Sequence, residues 1–389
     1  MPIFVGTAQS SAIHSTSVGV GTTTTTGMNA GVGTEKGTLT YDTDQGNLQV
    51  FTGSQWICAG DQTGSITATG GTKITSGDYV YHVFTTDTPS PNKVLEVTSG
   101  SGDAVLLVVG GGGGSAADNG GAGGAGGIAY GPSIPITPGS YAVTIGSGGL
   151  YNPARDNTFN WGSLSSFTHP LGTITGYGGQ GSANADPGYD IYTPYAVNPN
   201  VPANQMGSTA GGRVTNPMTE EAPVTPIGIS GQPQQSTFSG KITNYGNQGG
   251  GATNAHYWNG GGGGGAGGNG TSSTPGAPAP TRGRGGDGQA FPAFPAPVIA
   301  PGIPGPEQPN FTPAVGPTGL FGGGGGGSVE NPSQSFAGGP GGGGVGAGGG
   351  TSGAGVYGTG GGNGSNGSTT SNPGTVKGGN GIVLVRYPA

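Results

Sequence analysis

The apolar run Ala104–Val109 breaks directly into five glycines, Gly110–Gly114, and this junction constrains the fold more than any other feature of the chain. A glycine run favours neither helix nor strand, because glycine loses the most backbone entropy on ordering and offers no side chain to pack. What it permits is close approach of one backbone to another. In a polyproline-II helix of three residues per turn, the N–H and C=O groups point outward and find no partner within the helix. With no Cβ in the way, several such helices can lie side by side and bond to one another, with Cα–H···O contacts as a secondary aid. Six residues at ~3.1 Å each span about 19 Å, enough for a two-turn segment. Further runs stand at 260–265, 322–327 and 341–344, and the chain closes on a second apolar strand, GIVLVRYP at 381–388. The expectation is that Val105–Val109 and Ile382–Arg386 lie side by side, each burying one face, with the glycine segments forming a core made of backbone.

Composition agrees with that picture. The chain has 95 glycines and 32 prolines in 389 residues, about a third of the total, a level that in other chains signals low complexity or disorder. Here the apolar residues are grouped into short strand-like runs and only 7% of residues are charged, whereas disordered chains are rich in charge. A chain so poor in Leu and Ile cannot build one large conventional core. The net charge of −7 and the absence of a Lys/Arg cluster argue against nucleic acid and anionic membrane as partners. One cysteine, Cys58, excludes an intrachain disulfide. No signal-peptide pattern opens the chain and no apolar run approaches the ~20 residues of a membrane span, so membrane insertion is not expected.

Three regions are expected along the chain. Residues 1–33 are small, polar and uncharged with scattered apolar positions such as Ile3, Phe4 and Val5, and read as an extended arm ordered against a partner. Residues 34–64 hold period-2 runs, with Leu39 and Tyr41, then Leu48, Val50 and Phe51, then Trp56 and Ile57, broken by Asp, Asn and Gly. They predict a small β-meander. Asp42, Asp44 and Gly46 have turn chemistry rather than EF-hand spacing. Residues 65–389 form a glycine-rich domain, with strands at 66–69, 79–85, 93–97, 104–109 and 141–145 and a further one within 159–167, anchored by Trp161 and Phe167. Helical periodicity is absent, so the fold class is all-β with essentially no helix. Two Pro-rich inserts, near 184–244 and 271–318, exceed the loop lengths of compact domains. Their aromatics, Tyr189, Tyr192 and Tyr195 in the first and Phe291, Phe294 and Phe311 in the second, are candidate contact residues, since stiff aromatics give contact area at low entropic cost.

Two resemblances add to this reading. The pattern Lys36-Gly37-Thr38-Leu39-Thr40-Tyr41-Asp42-Thr43, followed by Leu48, Val50, Gly53 and Trp56, resembles a short β-motif of phage tail-fibre and other virion proteins. The order LLVVGGGGGS, YAVTIGSGG, GSLSSF, further glycine runs and terminal GGNGIVLVRYP resembles the glycine-rich domains of phage tail adhesins. In T-even-like long tail fibres these fold as a sandwich of packed polyglycine-II helices whose connecting loops bind a bacterial surface receptor. The resemblance implies a virion protein, on a tail fibre or the capsid surface. Ile3, Phe4, Val5 and Trp56 would anchor it to other virion proteins, and the insert aromatics would contact a host-surface glycan or outer-membrane protein. A homo-oligomer is expected, with a trimer favoured as for fibres. A capsid-bound decoration protein or capsid fibre would share the composition. So would a silk-like or cell-wall structural protein, although its repeats would be regular.

The residues give an enzyme little to work with. His14, His82, His169 and His256 are dispersed without metal-ligand spacing. Chance matches to G-x-G-x-x-G abound at this glycine content, and none is followed by Gly-Lys-Ser/Thr. Glu220–Glu221 and the Asp186/Asp190 pair lie in Pro-rich sequence where carboxylates are usually solvated. No catalytic residue, cofactor or metal ligand is expected.

Overall fold

The computed structural model describes residues 21–30, 35–44, 47–51, 53–54, 56–58, 65–89, 93–116, 120–152, 160–182, 207–208, 210, 238, 240–251, 259–273, 282–329, 331, 334–367 and 376–389. The chain divides into two compact units, Met1–Ile66 with Ser99–Gly102, and Thr67–Thr98 with Asp103–Ala389.

In the first unit, strands β1 (Gly21–Thr23), β2 (Leu39–Asp42), β3 (Asn47–Phe51) and β4 (Trp56–Cys58) form one sheet in that order. The expected meander is β2–β3–β4, joined antiparallel with Asp42 opposite Asn47. The chain region read as an extended arm contributes more than an arm. Gly21–Thr23 pairs parallel to β2, and α1 (Thr25–Asn29) follows, capped by Thr24, whose hydroxyl accepts from the Gly27 amide. Asp42 explains why these elements meet. Fully buried, it accepts from the Thr25 hydroxyl at 2.7 Å and from the Asp44 amide at 2.9 Å, so its carboxylate closes a local turn and ties α1 to the sheet. The opposite face leaves Leu39 and Tyr41 exposed.

The second unit has two larger sheets. Its strands are β5 (Thr67–Thr69), β6 (Thr72–Ser76), β7 (Tyr79–Phe84), β8 (Val94–Ser99), β9 (Gly102–Val109), β10 (Ile128–Ile136), β11 (Gly139–Thr144), β12 (Ser165–His169), β13 (Gly172–Gly176) and β14 (Thr243–Tyr245). Short β15 (Gln289–Ala290), β16 (Leu320–Phe321), β17 (Ser335–Phe336) and β18 (Gly346–Ala347) follow, and β19 (Ile382–Pro388) closes the chain. One sheet has the order β14-β10-β9-β19-β7-β6 and the other β13-β12-β11-β8-β5. They approach each other where β12 meets β19 and β10 meets β13. The chain crosses from one sheet to the other at Gly70–Gly71, both at positive φ. A Cβ on Gly70 would stand 1.8 Å from the Val94 carbonyl oxygen, so the corner requires glycine.

The pairing of β9 with β19 is the one expected, from Ile382 opposite Val109 to Arg386 opposite Val105. The expectation of one buried face each is corrected: Leu106–Val109 and Ile382–Val385 are buried on both faces. One face, with Val80, His82, Phe84, Leu106, Val108, Val383, Val385 and Tyr387, is turned to the second sheet. The other, with Tyr81, Val83, Leu107, Val109, Ile382 and Leu384, is covered by residues 291–321.

That cover corrects the reading of the 271–318 insert. Its second half is a helical plug: α2 (Ala296–Ile299), 3-10 turns at Ala300–Gly302 and Gly305–Glu307, and α3 (Gln308–Val315). Pro297, Pro301, Pro306 and Pro309 sit at the second position of their turns, where an amide needs no intrahelical partner, and Pro313 stands inside α3. Phe291, Phe294 and Phe311 are at most 2% exposed and fill one core with Ile299, Ile303 and Phe321. They hold the plug to the sheet and present no contact surface. With only short helices among the described residues, the chain is all-β.

Candidate functional site

Seven glycine-rich segments of the second unit each continue a strand of the sandwich, and the runs 260–265 and 322–327 pack among them. Residues 110–116 leave β9, 120–127 enter β10, 146–152 leave β11, 160–164 enter β12, 177–182 leave β13, 246–251 leave β14 and 376–381 enter β19. Their hydrogen bonds have a period of three. Gly110 and Gly113 donate to Gly127 and Gly124; Gly111 and Gly114 donate to Ser163 and Asn160; Gly112 donates to Gly379. The carbonyls follow the same rule. Those of Gly111 and Gly114 accept from Gly179 and Ser182, those of Gly112 and Ser115 from Gly149 and Asn152, and that of Gly113 from Asn363. The segment 110–115 is therefore ringed by neighbours on all sides, as a three-residue helix with outward-pointing amides requires. The segment 120–127 is ringed in the same way, with Ala122 and Ala125 donating to Gly261 and Gly264 and Gly123 and Gly126 to Asn363 and Gly360.

These contacts leave no room for a methyl group. A Cβ on Gly111, Gly112 or Gly113 would lie 2.1, 2.0 or 2.0 Å from a backbone oxygen of Ser147, Gly361 or Gln180. Side chains inside the stack recur instead at every third position, as at Ala122/Ala125, Ser147/Leu150, Tyr177/Gln180, Asn363/Asn366 and Lys377/Asn380. Some of them bond across segments: the Asn363 amide donates to the Ser115 hydroxyl at 2.8 Å, which donates to the Gly364 carbonyl at 2.8 Å.

The stack has a free end, opposite the strands. The chain leaves and re-enters it at Ala116 and Gly120, Asn152 and Asn160, Gly251 and Asn259, Ser273 and Arg282, and Gly367 and Val376. These positions are tied together: Ala116 bridges Asn152, Ala347 bridges Asn366, the Ser273 amide donates to Gly251, and its hydroxyl donates to Asn259 at 2.6 Å.

The sequence-predicted residues fall out as follows. Tyr189, Tyr192 and Tyr195, and Ile3, Phe4 and Val5, lie outside the described residues, as do His14, His256, Asp186, Asp190 and Glu220–Glu221. Phe291, Phe294 and Phe311 are core. Trp56 is half-buried, its ring 5.3 Å from that of Phe51.

The two described histidines have structural partners. His82 Nδ1 donates to the Gly70 carbonyl at 2.7 Å, which leaves Nε2 to accept from the Tyr387 hydroxyl at 2.8 Å. Burial pushes the His82 imidazole below its ordinary range and lifts the Tyr387 phenol to about 12. His169 Nε2 donates to the Pro135 carbonyl and Nδ1 accepts from the Leu171 amide. Among the described residues no group of three or more His, Cys, Asp or Glu could hold a metal ion, and no helix is long and apolar enough to cross a membrane.

Fold and stack define the class: an all-β protein whose sandwich strands run on into a block of packed glycine helices. The chain belongs to the glycine-rich domain family, whose model matches residues 88–388. No curated protein matches the chain.

Proposed function

We propose that this protein is a non-enzymatic bacteriophage adhesin, carried on a tail fibre, that attaches to a glycan or outer-membrane protein on the host surface. One observation carries the reading: the glycine helices form one hydrogen-bonded block, and the described positions where the chain leaves and re-enters it are tied together at the end away from the strands. Such a block can present connecting segments for recognition from a fixed base. Low affinity per site would be amplified by the many copies on a particle, each a trimer, through effective concentration. The irregular partnering of the glycine segments, each with a different set of neighbours, speaks against a repetitive silk-like material.

The test is competition. Purified protein should block adsorption of a phage that carries it, and a variant with residues 186–200 shortened should not. The 291–311 segment is unsuitable for shortening, because it is the plug on the sheet. Protein that ignores cells but binds emptied capsids would replace the adhesin reading with capsid decoration.

A further inference from the structure

Arg386 stands on β19, at the middle of the six-stranded sheet and on the face that carries the plug, opposite Val105 of β9 and Tyr81 of β7. It is half-buried, and its surroundings do not account for its charge. The guanidinium carbon lies 4.2 Å from the centroid of the Tyr79 ring, a cation–π contact. Nη1 reaches the Ala293 carbonyl only at 3.5 Å, the outer limit of a hydrogen bond. Nε is buried with no partner. Among the described residues, no carboxylate lies within ion-pair distance of it. Asp103, two residues before Val105 on β9, bonds instead to the Ser133 hydroxyl. The guanidinium, half exposed and with donors unused, therefore has hydrogen-bonding capacity to spare on its open side.

Tyr130 packs its ring 5.0 Å from Phe291 at the foot of the plug, and Tyr245 meets Phe291 edge-on at 5.4 Å. Burial raises the Tyr130 phenol, and the Arg386 charge offsets part of that rise. Tyr79 is 37% exposed, with ring surface left for a ligand. A planar donor fork held by a central strand beside a partly exposed tyrosine ring matches an anion carried on a ring.

We infer that Arg386 and Tyr79 form a binding site for an acidic sugar, with the guanidinium taking its carboxylate or phosphate and the tyrosine packing against the sugar ring. The anion site rests on Arg386 alone. The choice of a sugar as its carrier rests on the receptor reading above. The site lies on the plug-bearing sheet face rather than at the free end of the stack, so it is a second point of contact.

The experiment is titration of the full-length protein with glucuronate, glucose and inorganic phosphate, followed by ligand-observed NMR, on wild type, Arg386→Gln, Arg386→Lys and Asp103→Asn. Glucuronate is expected to bind, glucose at least about tenfold more weakly, and Arg386→Gln to lose about tenfold or more. Arg386→Lys keeps the charge and stem but not the fork, so it is expected to weaken glucuronate as well and guards against loss of folding in the Gln variant. Asp103→Asn removes a nearby like charge and is expected to tighten binding. Wild-type affinity for glucuronate in both Arg386 variants, or no binding to any probe, overturns the site. Phosphate bound as well as glucuronate overturns the sugar and leaves an anion site. Failure of adsorption blocking with glucuronate binding intact removes the receptor reading alone.

Discussion

The sandwich and the glycine stack of the second unit are two solutions to one problem, and they divide backbone and side chain in opposite ways. In the sheets, hydrogen bonds run sideways within a plane and side chains such as Leu107 and Val108 fill the space between planes. In the stack, hydrogen bonds leave each segment in every direction, and the space is filled by the neighbouring backbones themselves. The first kind of core is adjustable, because side chains have rotamers and can repack. The second has no adjustable part. A sheet core should therefore suffer most from lost carbon and a glycine core from gained carbon.

The largest expected effect follows from that asymmetry. Gly112→Ala adds one methyl group, but its Cβ would meet the Gly361 oxygen at 2.0 Å, and that oxygen belongs to a bonded neighbour. The cost is expected to reach about 4–5 kcal/mol or to prevent folding, seen as loss of the thermal transition. Gly305→Ala, where a Cβ has nothing within 4 Å, is the matched control and should be near neutral. If Gly112→Ala melts like wild type, the glycine stack is not a core.

Next come truncations of the conventional core. Phe311→Ala, fully buried among plug and sheet, is expected to cost about 3–5 kcal/mol in chemical denaturation. Equal loss of adsorption blocking without loss of stability would restore Phe311 as a contact residue and break the assignment of the plug to the core.

The His82–Tyr387 pair gives a smaller, pH-dependent effect that belongs to the sandwich alone. The folded imidazole titrates below its ordinary value of 6.5, so the unfolded chain binds the proton first as pH falls. Stability from this group is present above that value and is lost as pH drops through the depressed one. For Tyr387 the folded phenol sits at about 12 against 10.0, so stability is full below 10 and is lost as pH rises toward 12. Melting temperature against pH should show both limbs. Tyr387→Phe should shrink the alkaline one, with Tyr130, Tyr177 and Tyr357, also raised by burial, retaining part of it.

The difference between the two regions also decided what the sequence could reveal. Strands with several consecutive β-branched or aromatic residues, such as Tyr79–Phe84 and Gly102–Val109, were legible by pattern, and so was the pairing of β9 with β19. Missed were β6, β10, β13 and β14, whose Thr, Ser, Gly and Pro residues carry little apolar signal. In β10, Pro132 and Pro135 lie beyond the three residues that β14 pairs, where a missing amide is harmless. The plug was hidden because its prolines, four at second positions of turns and Pro313 inside α3, break every periodic window. The stack was foreseeable in kind. Its register was also on the page in the spacing GGAGGAGG of 120–127, whose alanines repeat with the period of the helix. The candidate site was the least legible, since Phe291, Phe294 and Phe311 read equally well as contact or core aromatics until their burial decided it.

The smallest effect probes the few side chains that the stack does admit. Ser115 is fully buried, accepts from Asn363 Nδ2 and donates to the Gly364 carbonyl, so it joins two segments by side chain where its neighbours do so by backbone. Ser115→Ala keeps the Cβ and removes only the hydroxyl, leaving Asn363 Nδ2 short of its acceptor. Asn363 Oδ1 already lacks a partner, so the loss falls on a side chain with little in reserve. The cost is expected at about 1–3 kcal/mol, well below that of Gly112→Ala, although each changes a single heavy atom. Read by chemical denaturation, the ratio of the two separates their causes. A polar group losing its partner is a bounded loss, because the segments stay in register. A methyl group forced between two backbones breaks the register itself. Equal costs would mean that the stack tolerates added carbon as a side-chain core does, and the contrast between the two regions would fail at its root.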